Sequence, residues 1–194
     1  MIAGLILAAG ESSRMGSDKA LLAYLGRTFL ETIILNLRSA GIEKIAVVLG
    51  HHAEEIQRAV DLAGTQVVLN PDYRRGQTSS LQVGLAALAE HSPEAVILCL
   101  VDHPAVPAEV ISKLRDRFEP SGPPIVVPTC QGQRGHPVVI NCALFPELLA
   151  LGPDEAANTV IRKYHDATQF VEVADRGILL DVDNPDTYKS LERG

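Results

Sequence analysis

The sequence predicts an α/β fold: a mostly parallel, mixed central sheet with helices on both faces. Three observations predict it. Ile2 to Ala9, Ile45 to Leu49 and Ala95 to Val101 are short apolar runs with no polar alternation, the pattern of strands covered on both sides. Stretches with apolar residues at helical spacing lie between them. Strand and helix patterns alternate from residue 2 to about residue 120, as a parallel sheet requires. The last third is richer in strand pattern and suggests added strands, with room for an antiparallel one. No linker, repeat or low-complexity segment interrupts the chain, so residues 1–194 read as one domain, long enough to bury a sizeable core.

Each element has its own signal. After the first strand, Thr28-Phe29-Leu30-Glu31 reads as a capping box, with Leu30, Ile33, Ile34 and Leu37 on one helix face and Gly41 as the stop. Ile45 to Leu49 is the second strand, stopped by Gly50. His51-His52 opens a helical stretch through Val60. Adjacent histidines do not share a helix face, which favours solvated helix-start residues over a metal pair. Val67 to Leu69 is a third, short strand. Asn70-Pro71 and Gly76 mark a turn, and Gln77 to Ser80 feeds a helix over Leu81 to Ala89. Ala95 to Val101 is the strongest interior strand. The following helix begins near Pro107 and has its amphipathic part over Val110 to Phe118. Gly122-Pro123-Pro124 turns into a strand, Ile125 to Val127, then a polar loop, Thr129 to Gly135, then a strand, His136 to Ile140. Leu144 to Leu151 reads as helix with Pro146 in its first turn. Gln169 to Val173 and Gly177 to Leu180 read as late strands. Asn184 caps a terminal helix that starts at Pro185.

Composition narrows the function. The formal charge of −7 argues against general nucleic-acid or membrane-surface binding, which need a basic excess. Any phosphate must be held at one local basic spot. No apolar stretch reaches the length of a membrane span and no signal peptide is evident. Cys99, Cys130 and Cys142 are odd in number and widely spaced. They suggest neither a zinc site nor a disulfide framework, and favour a reducing, cytoplasmic location.

The residues that carry chemistry follow the first strand. Leu7-Ala8-Ala9-Gly10 runs into Glu11-Ser12-Ser13-Arg14-Met15-Gly16-Ser17-Asp18-Lys19. Gly10 and Gly16 let a ligand approach the main chain. Arg14 offers a planar fork of donors and Lys19 a mobile point charge, two ways of holding phosphate. The spacing fits neither the dinucleotide fingerprint nor the Walker pattern, so this is a phosphate loop of another kind. Asp102 stands at the carboxyl end of the strongest strand, too far before the next helix to cap it and well placed for a metal. Ser79 and Ser80, at a helix start, suit an anion or a base edge as readily as simple capping. Asp181 and Asp183, at i and i+2 of an extended segment, point the same way and could face one cation, or could mark a charged strand end. His136, after a glycine loop, is balanced between a structural role and substrate contact.

The string L-A-A-G-x-S-x-R-M-G-x-x-K resembles the opening of the MobA-like nucleotidyltransferases, and within them the MocA type, the molybdenum cofactor cytidylyltransferases. Asn70, Tyr73, Gly76, Ser80 and Leu81 match a second family motif, Asp102-His103-Pro104 a third, and Asp181, Asp183 and Pro185 a fourth, in fixed order over nearly the whole chain. The resemblance implies a Rossmann-like nucleotidyltransferase fold and transfer of CMP, or another NMP, from an NTP to a phosphate-bearing acceptor with release of pyrophosphate. It implies a nucleotide site at Leu7, Ala8, Ala9, Gly10, Arg14, Lys19, Asn70, Ser79 and Ser80. Arg14, Lys19 and Asp102 are the implied catalytic residues. It implies Mg²⁺ on Asp102 and on Asp181 or Asp183, and an acceptor side near His103 and His136. Ala9, where guanylyl-transferring relatives carry glycine, favours CTP. The implied acceptor is molybdopterin, and a molybdenum hydroxylase is a possible partner. Arg74 and Arg75 could reach the acceptor's anionic group. Two departures stand out. His103 replaces the usual glutamine, and Gly152 to Asn158 lacks the family's arginine and second glycine; Arg162 or Lys163 could compensate, though the spacing does not say so. The alternatives are a sugar- or polyol-phosphate nucleotidyltransferase with the same metal site, and a non-catalytic nucleotide-binding chaperone of a molybdenum enzyme.

Overall fold

The computed structural model of the chain describes residues 1–152 and 155–191. Its first strand, β1 (Ile2–Ala8), is the middle of the main sheet. A two-stranded ribbon, β2 (Ala23–Tyr24) and β3 (Arg27–Thr28), leads to α1 (Phe29–Ser39). Next come β4 (Ile45–Leu49), α2 (Ala53–Ala59), β5 (Gln66–Leu69), α3 (Gln77–Ala89), β6 (Ala95–Leu100) and α4 (Ala108–Arg117). The later elements are β7 (Ile125–Cys130), β8 (Gln133–Arg134), β9 (Val138–Asn141), α5 (Phe145–Leu149), α6 (Ala157–Lys163), β10 (Thr168–Glu172) and α7 (Pro185–Leu191).

The main sheet has the order β10-β7-β9-β6-β1-β4-β5, with β8 added to β7. β1 pairs in parallel with β4 and β6, and β4 with β5. β9 runs antiparallel to both β6 and β7, so the sheet is mixed as expected. The apolar run of β1 is explained by its two faces. Ile6 and Ala8 pack into a cluster with Leu30, Ile33 and Leu37 of α1, Ile56 of α2 and Leu114 of α4. Leu5 and Leu7 pack into another with Leu81, Leu85 and Leu88 of α3 and Leu148 of α5. Each fully buried leucine contributes about 1.5–3 kcal/mol. Gly84 lets α3 lie close on the sheet: a Cβ there would stand 2.5 Å from Leu5 Cδ1 and 2.9 Å from Val48 Cγ2.

Several local expectations hold. Thr28 and Glu31 form the capping box at the start of α1, and the Asn184 side chain accepts from the backbone N–H groups of Asp186 and Thr187 at 3.0 and 2.9 Å. Other expectations need correction. Gly177 to Leu180 is not a strand but part of a 3-10 turn, Arg176–Leu179. The Asp175 carboxylate accepts from Gly177 N at 2.7 Å and starts that turn, while Ile178 is buried. Thr129 to Gly135 is not an open loop: β7 continues to Cys130, turns at Gln131 and Gly132, both with positive φ, and returns as β8. α3 begins four residues before Leu81, so Ser79 and Ser80 sit inside its first turn. The expected helix over Leu144 to Leu151 is α5, preceded by a 3-10 turn over Cys142–Leu144. In the segment Gly152 to Asn158, Pro153 and Asp154 lie outside the described residues.

Candidate active site

The chain leaves β1 for β4 on one side, and β6 lies on β1's other side. The carboxyl ends of β1 and β6 therefore form a switch point, where open α/β sheets leave a crevice for ligands. β1 delivers the glycine-containing loop to this crevice and β6 delivers Asp102. The loop is self-supporting. Met15 N donates to Ser12 O at 2.9 Å, Lys19 N donates to Ser12 Oγ at 3.1 Å, and Gly16 takes a φ of 71°. A Cβ at Gly10 would meet no protein atom within 4 Å, so the main chain there faces open space.

A cavity of about 290 Å³ opens over this loop. Of the residues expected from the sequence, Leu7, Ala8, Ala9, Gly10, Arg14, Lys19, Ser80, Asp102 and Asp183 line it. Lys19 is the meeting point. Its Nζ donates to Asp102 Oδ2 at 3.1 Å and to Asp183 Oδ1, and the side chain is 12% exposed. Burial works against the lysine charge, but the Asp183 hydrogen bond and the Asp102 charge outweigh it and hold the pKa above the ordinary value. Burial likewise works against Asp102. Its hydrogen bond from His103 Nδ1 at 2.9 Å and the Lys19 charge overcome this and bring its pKa down to about 2. Arg14 reaches Asp183 Oδ2 at 3.5 Å from an exposed position.

Asp181 meets different surroundings. Burial, then the charges of Asp102 and Asp183, raise its pKa. Val182, between the two aspartates, is buried, and its N–H donates to Asp102 O at 2.9 Å, which ties this segment to the end of β6. Asp102, His103 and Asp181 offer ligand atoms within 4.8 Å of one another. A carboxylate whose pKa is raised by burial and by two neighbouring carboxylates, as that of Asp181 is, suits a hard divalent cation, which would relieve the repulsion.

The remaining expected residues lie farther back or to one side. Asn70 is buried. Its Nδ2 donates to Ser79 Oγ at 3.0 Å and Ser80 Oγ at 2.9 Å, and Ser79 Oγ donates to Gly76 O at 2.8 Å. Neither Asn70 nor Ser79 is on the cavity lining; they brace the start of α3 and so hold Ser80, which is. His103 turns to Asp102, and its ring lies 4.9 Å from that of His136. His136 borders a different cavity, between β9 and α6, and its buried Nδ1 has no partner among the described residues. Arg74 is paired with Glu11 at 3.0 Å.

Sequence reasoning missed the contact that anchors the end of the loop. His52, in left-handed backbone with φ 49°, places Nδ1 2.6 Å from Asp18 Oδ2, and the Asp18 side chain is only 5% exposed. His52 is therefore bonded rather than simply solvated. Nothing local to either residue announces a contact across thirty-four positions. Tyr73 and Gln77 also line the cavity; Tyr73 belongs to a motif that was visible, and Gln77 carried no signal.

The fold and the site's layout are those of the nucleotidyltransferase class of α/β proteins, with a glycine-containing loop and an acid cluster facing each other at the sheet's switch point. The chain belongs to the MobA-like NTP transferase domain family, whose model matches residues 4–168. It is 28% identical to the nicotine blue oxidoreductase of Paenarthrobacter nicotinovorans, over 94% of this chain and 92% of that one. It is 27% identical to the molybdenum cofactor cytidylyltransferase of Escherichia coli, over 95% and 92%. Among solved structures it resembles Rv0371c of Mycobacterium tuberculosis, at 31% identity and a TM-score of 0.86 over 100% of this chain and 97% of that one. It also resembles the manganese complex of Rv0371c, at 29% identity and a TM-score of 0.82 over 100% and 98%. Among the described residues no helix is long and apolar enough to cross a membrane.

Proposed function

We propose that this chain is a Mg²⁺-dependent nucleotidyltransferase that moves CMP from CTP to the phosphate of molybdopterin, forming a cytosine dinucleotide cofactor and releasing pyrophosphate. The observation that carries the reading is the seat of Lys19. Its ammonium group lies between Asp102 and Asp183, so three segments far apart in sequence share one cavity. The backbone of Leu7 to Gly10 takes the nucleotide, with Ser80 toward base and ribose. Arg14 and Lys19 offset charge on the departing pyrophosphate. An acceptor phosphate oxygen forms a bond to the α-phosphorus in line, and the bond to the β-phosphate oxygen breaks with its electron pair. Such a transfer needs positioning and charge neutralisation more than covalent help. Asp102, Asp181 and Asp183 would hold the cation, which when bound supplies Lewis-acid neutralisation of the triphosphate.

The choice of CTP rests on Ala9 and on the likeness to a protein named as a cytidylyltransferase. We take residues 1–194 as a single catalytic unit, and the free cysteines Cys99, Cys130 and Cys142 as fitting a cytoplasmic setting beside a molybdenum hydroxylase. Pyrophosphate release tests the reading: CTP, Mg²⁺ and molybdopterin together should release it, and a panel of sugar and polyol phosphates should not. Release with a sugar phosphate alone would move the chain to the rival acceptor class. The full-length likeness to a protein named as an oxidoreductase favours one other reading, a redox enzyme on this scaffold. Nucleotide binding with no pyrophosphate from any acceptor would count for that reading, or for a non-catalytic chaperone.

A further inference from the structure

Three residues that line the first cavity, Ala9, Asp18 and Tyr73, are touched by one short turn, residues 50–52, between β4 and α2. Gly50, His51 and His52 are not themselves on the cavity lining. Gly50 sets the approach: a Cβ there would stand 2.6 Å from Tyr73 Cβ and 2.8 Å from Ala9 O. His51 N donates to Ala9 O at 3.1 Å, and His51 Nδ1 lies 3.3 Å from the Tyr73 hydroxyl. The His51 and His52 rings stack, with centres 3.7 Å and planes 33° apart. His52 is thus mounted on a base that is itself tied to two walls of the cavity, and its ring reaches the third, Asp18.

The Asp18 contact carries the argument. The carboxylate is buried, and among the described residues His52 Nδ1, 2.6 Å away, is its only hydrogen-bond partner. The Glu55 carboxylate stands 4.0 Å from the same nitrogen, beyond hydrogen-bond reach. An ionised carboxylate only accepts, so Nδ1 carries the proton whether or not the ring is charged. Losing that donor leaves a buried carboxylate unpaired, which costs more than the bond itself contributes. The backbone points the same way. His52 holds a φ of 49°, a left-handed conformation that glycine takes without steric cost. Strain of this kind persists where the surroundings over-determine it. Lys19 follows Asp18 directly, and its N–H donates to Ser12 Oγ at 3.1 Å. The Asp18–His52 bond therefore fixes the base of the loop that carries the ammonium group into the cavity.

We propose that His52 is a positioning residue: through Asp18 it holds the loop over residues 12–19 in its ligand-ready shape before any nucleotide arrives. It touches no nucleotide. It raises affinity because the loop does not have to be ordered on binding. What the loop takes rests on the nucleotide reading of this cavity, but the order of the loop can be measured with no ligand present.

Two substitutions separate the donor from the backbone. His52→Asn keeps a nitrogen donor at the place of Nδ1 on a residue that accepts left-handed backbone, and His52→Gly accepts that backbone with no donor. One readout is exchange of the Met15 and Lys19 amides, which donate to Ser12 O and Ser12 Oγ, in the free full-length protein. The other is affinity for CTP with Mg²⁺. In His52→Gly both amides should exchange about tenfold faster and CTP should bind about tenfold more weakly, the scale of one hydrogen bond to a charged group. His52→Asn should stay within about threefold of wild type in both, since it retains the donor. The amides of β1 should exchange alike in all three proteins. Amide exchange or CTP affinity left at the wild-type value in His52→Gly, or His52→Asn no better than His52→Gly, would overturn the proposal. Faster exchange of β1 in His52→Gly would also overturn it, by reducing the contact to general stability. If the wild type binds no nucleotide while the exchange series holds, nucleotidyl transfer fails and the hold of His52 on the loop stands.

Discussion

Asp102 is held by three partners of different kinds: Lys19 Nζ, His103 Nδ1 and the backbone of Val182. Removing its carboxylate should cost turnover far more than stability. Asp102→Ala is expected to lower pyrophosphate release by at least about 10³-fold, the scale of losing a preorganised charge at the reacting centre, with an unchanged far-ultraviolet spectrum. Activity near wild type would remove Asp102 from the site. His136 gives a pH prediction. Burial, then the neighbouring His103 charge, lowers its pKa from 6.5 to about 4. The unfolded chain therefore holds a proton between those values that the folded chain does not. The His136 contribution is complete above about pH 6.5 and is lost as pH falls toward 4. At pH 5 the loss is roughly 2 kcal/mol. Urea unfolding at pH 7.5 and pH 5 should show it in the wild type and not in His136→Gln; equal slopes in the two proteins would contradict the assignment. At this scale the convergence of Lys19, Asp102 and Asp183 was legible because each sits in a motif whose types and order suggested it. The Asp18–His52 bond was not legible, since only the folded chain brings those residues together. The bracing role of Asn70 and Ser79 was hidden for the same reason: sequence shows a polar group, not whether a neighbour has already taken its hydrogen bonds.

Between elements, α3 lies close against β1 and β4 at Gly84. Gly84→Val forces Leu5 and Val48 aside and should destabilise the fold by about 1–3 kcal/mol, read from the guanidinium midpoint at constant slope. Thr28→Ala, which removes the capping box of α1, should cost about 1 kcal/mol in the same experiment. A larger effect from Thr28 than from Gly84 would mean that the α3 contact is looser than its geometry. The elements that were legible, β1, β4 and β6 with α1 and α4, have long uninterrupted or strongly periodic patterns, because both sheet faces are covered. Those that were misread are short. Gly177 to Leu180 carries the apolar content of a strand, but the Asp175 carboxylate turns it at its first residues. The β7–β8 hairpin was hidden by polar residues, since β8 is an exposed pair, Gln133–Arg134, with no buried face to impose alternation.

For the molecule as a whole, two adjoining cavities open along the sheet, one at the carboxyl ends of β1 and β6 and the other beside β9 and β10. This placement follows from the strand order. The switch between β1 and β6 opens the first crevice, and the antiparallel β9 with β7 and β10 extends the floor into the second. The parallel half was legible from alternation of strand and helix. The second cavity was not, because Arg134, Arg162 and Phe170, which line it, come from three elements with no shared motif. The central claim is that the loop after β1 and the acids after β6 and before α7 grip a triphosphate and its cation together. Calorimetric titration of CTP with and without Mg²⁺ measures that claim directly, since shared binding makes each ligand tighten the other. The account predicts that Mg²⁺ strengthens CTP binding in the wild type and that Asp102→Ala removes the gain; CTP affinity that is the same with and without Mg²⁺ would contradict it.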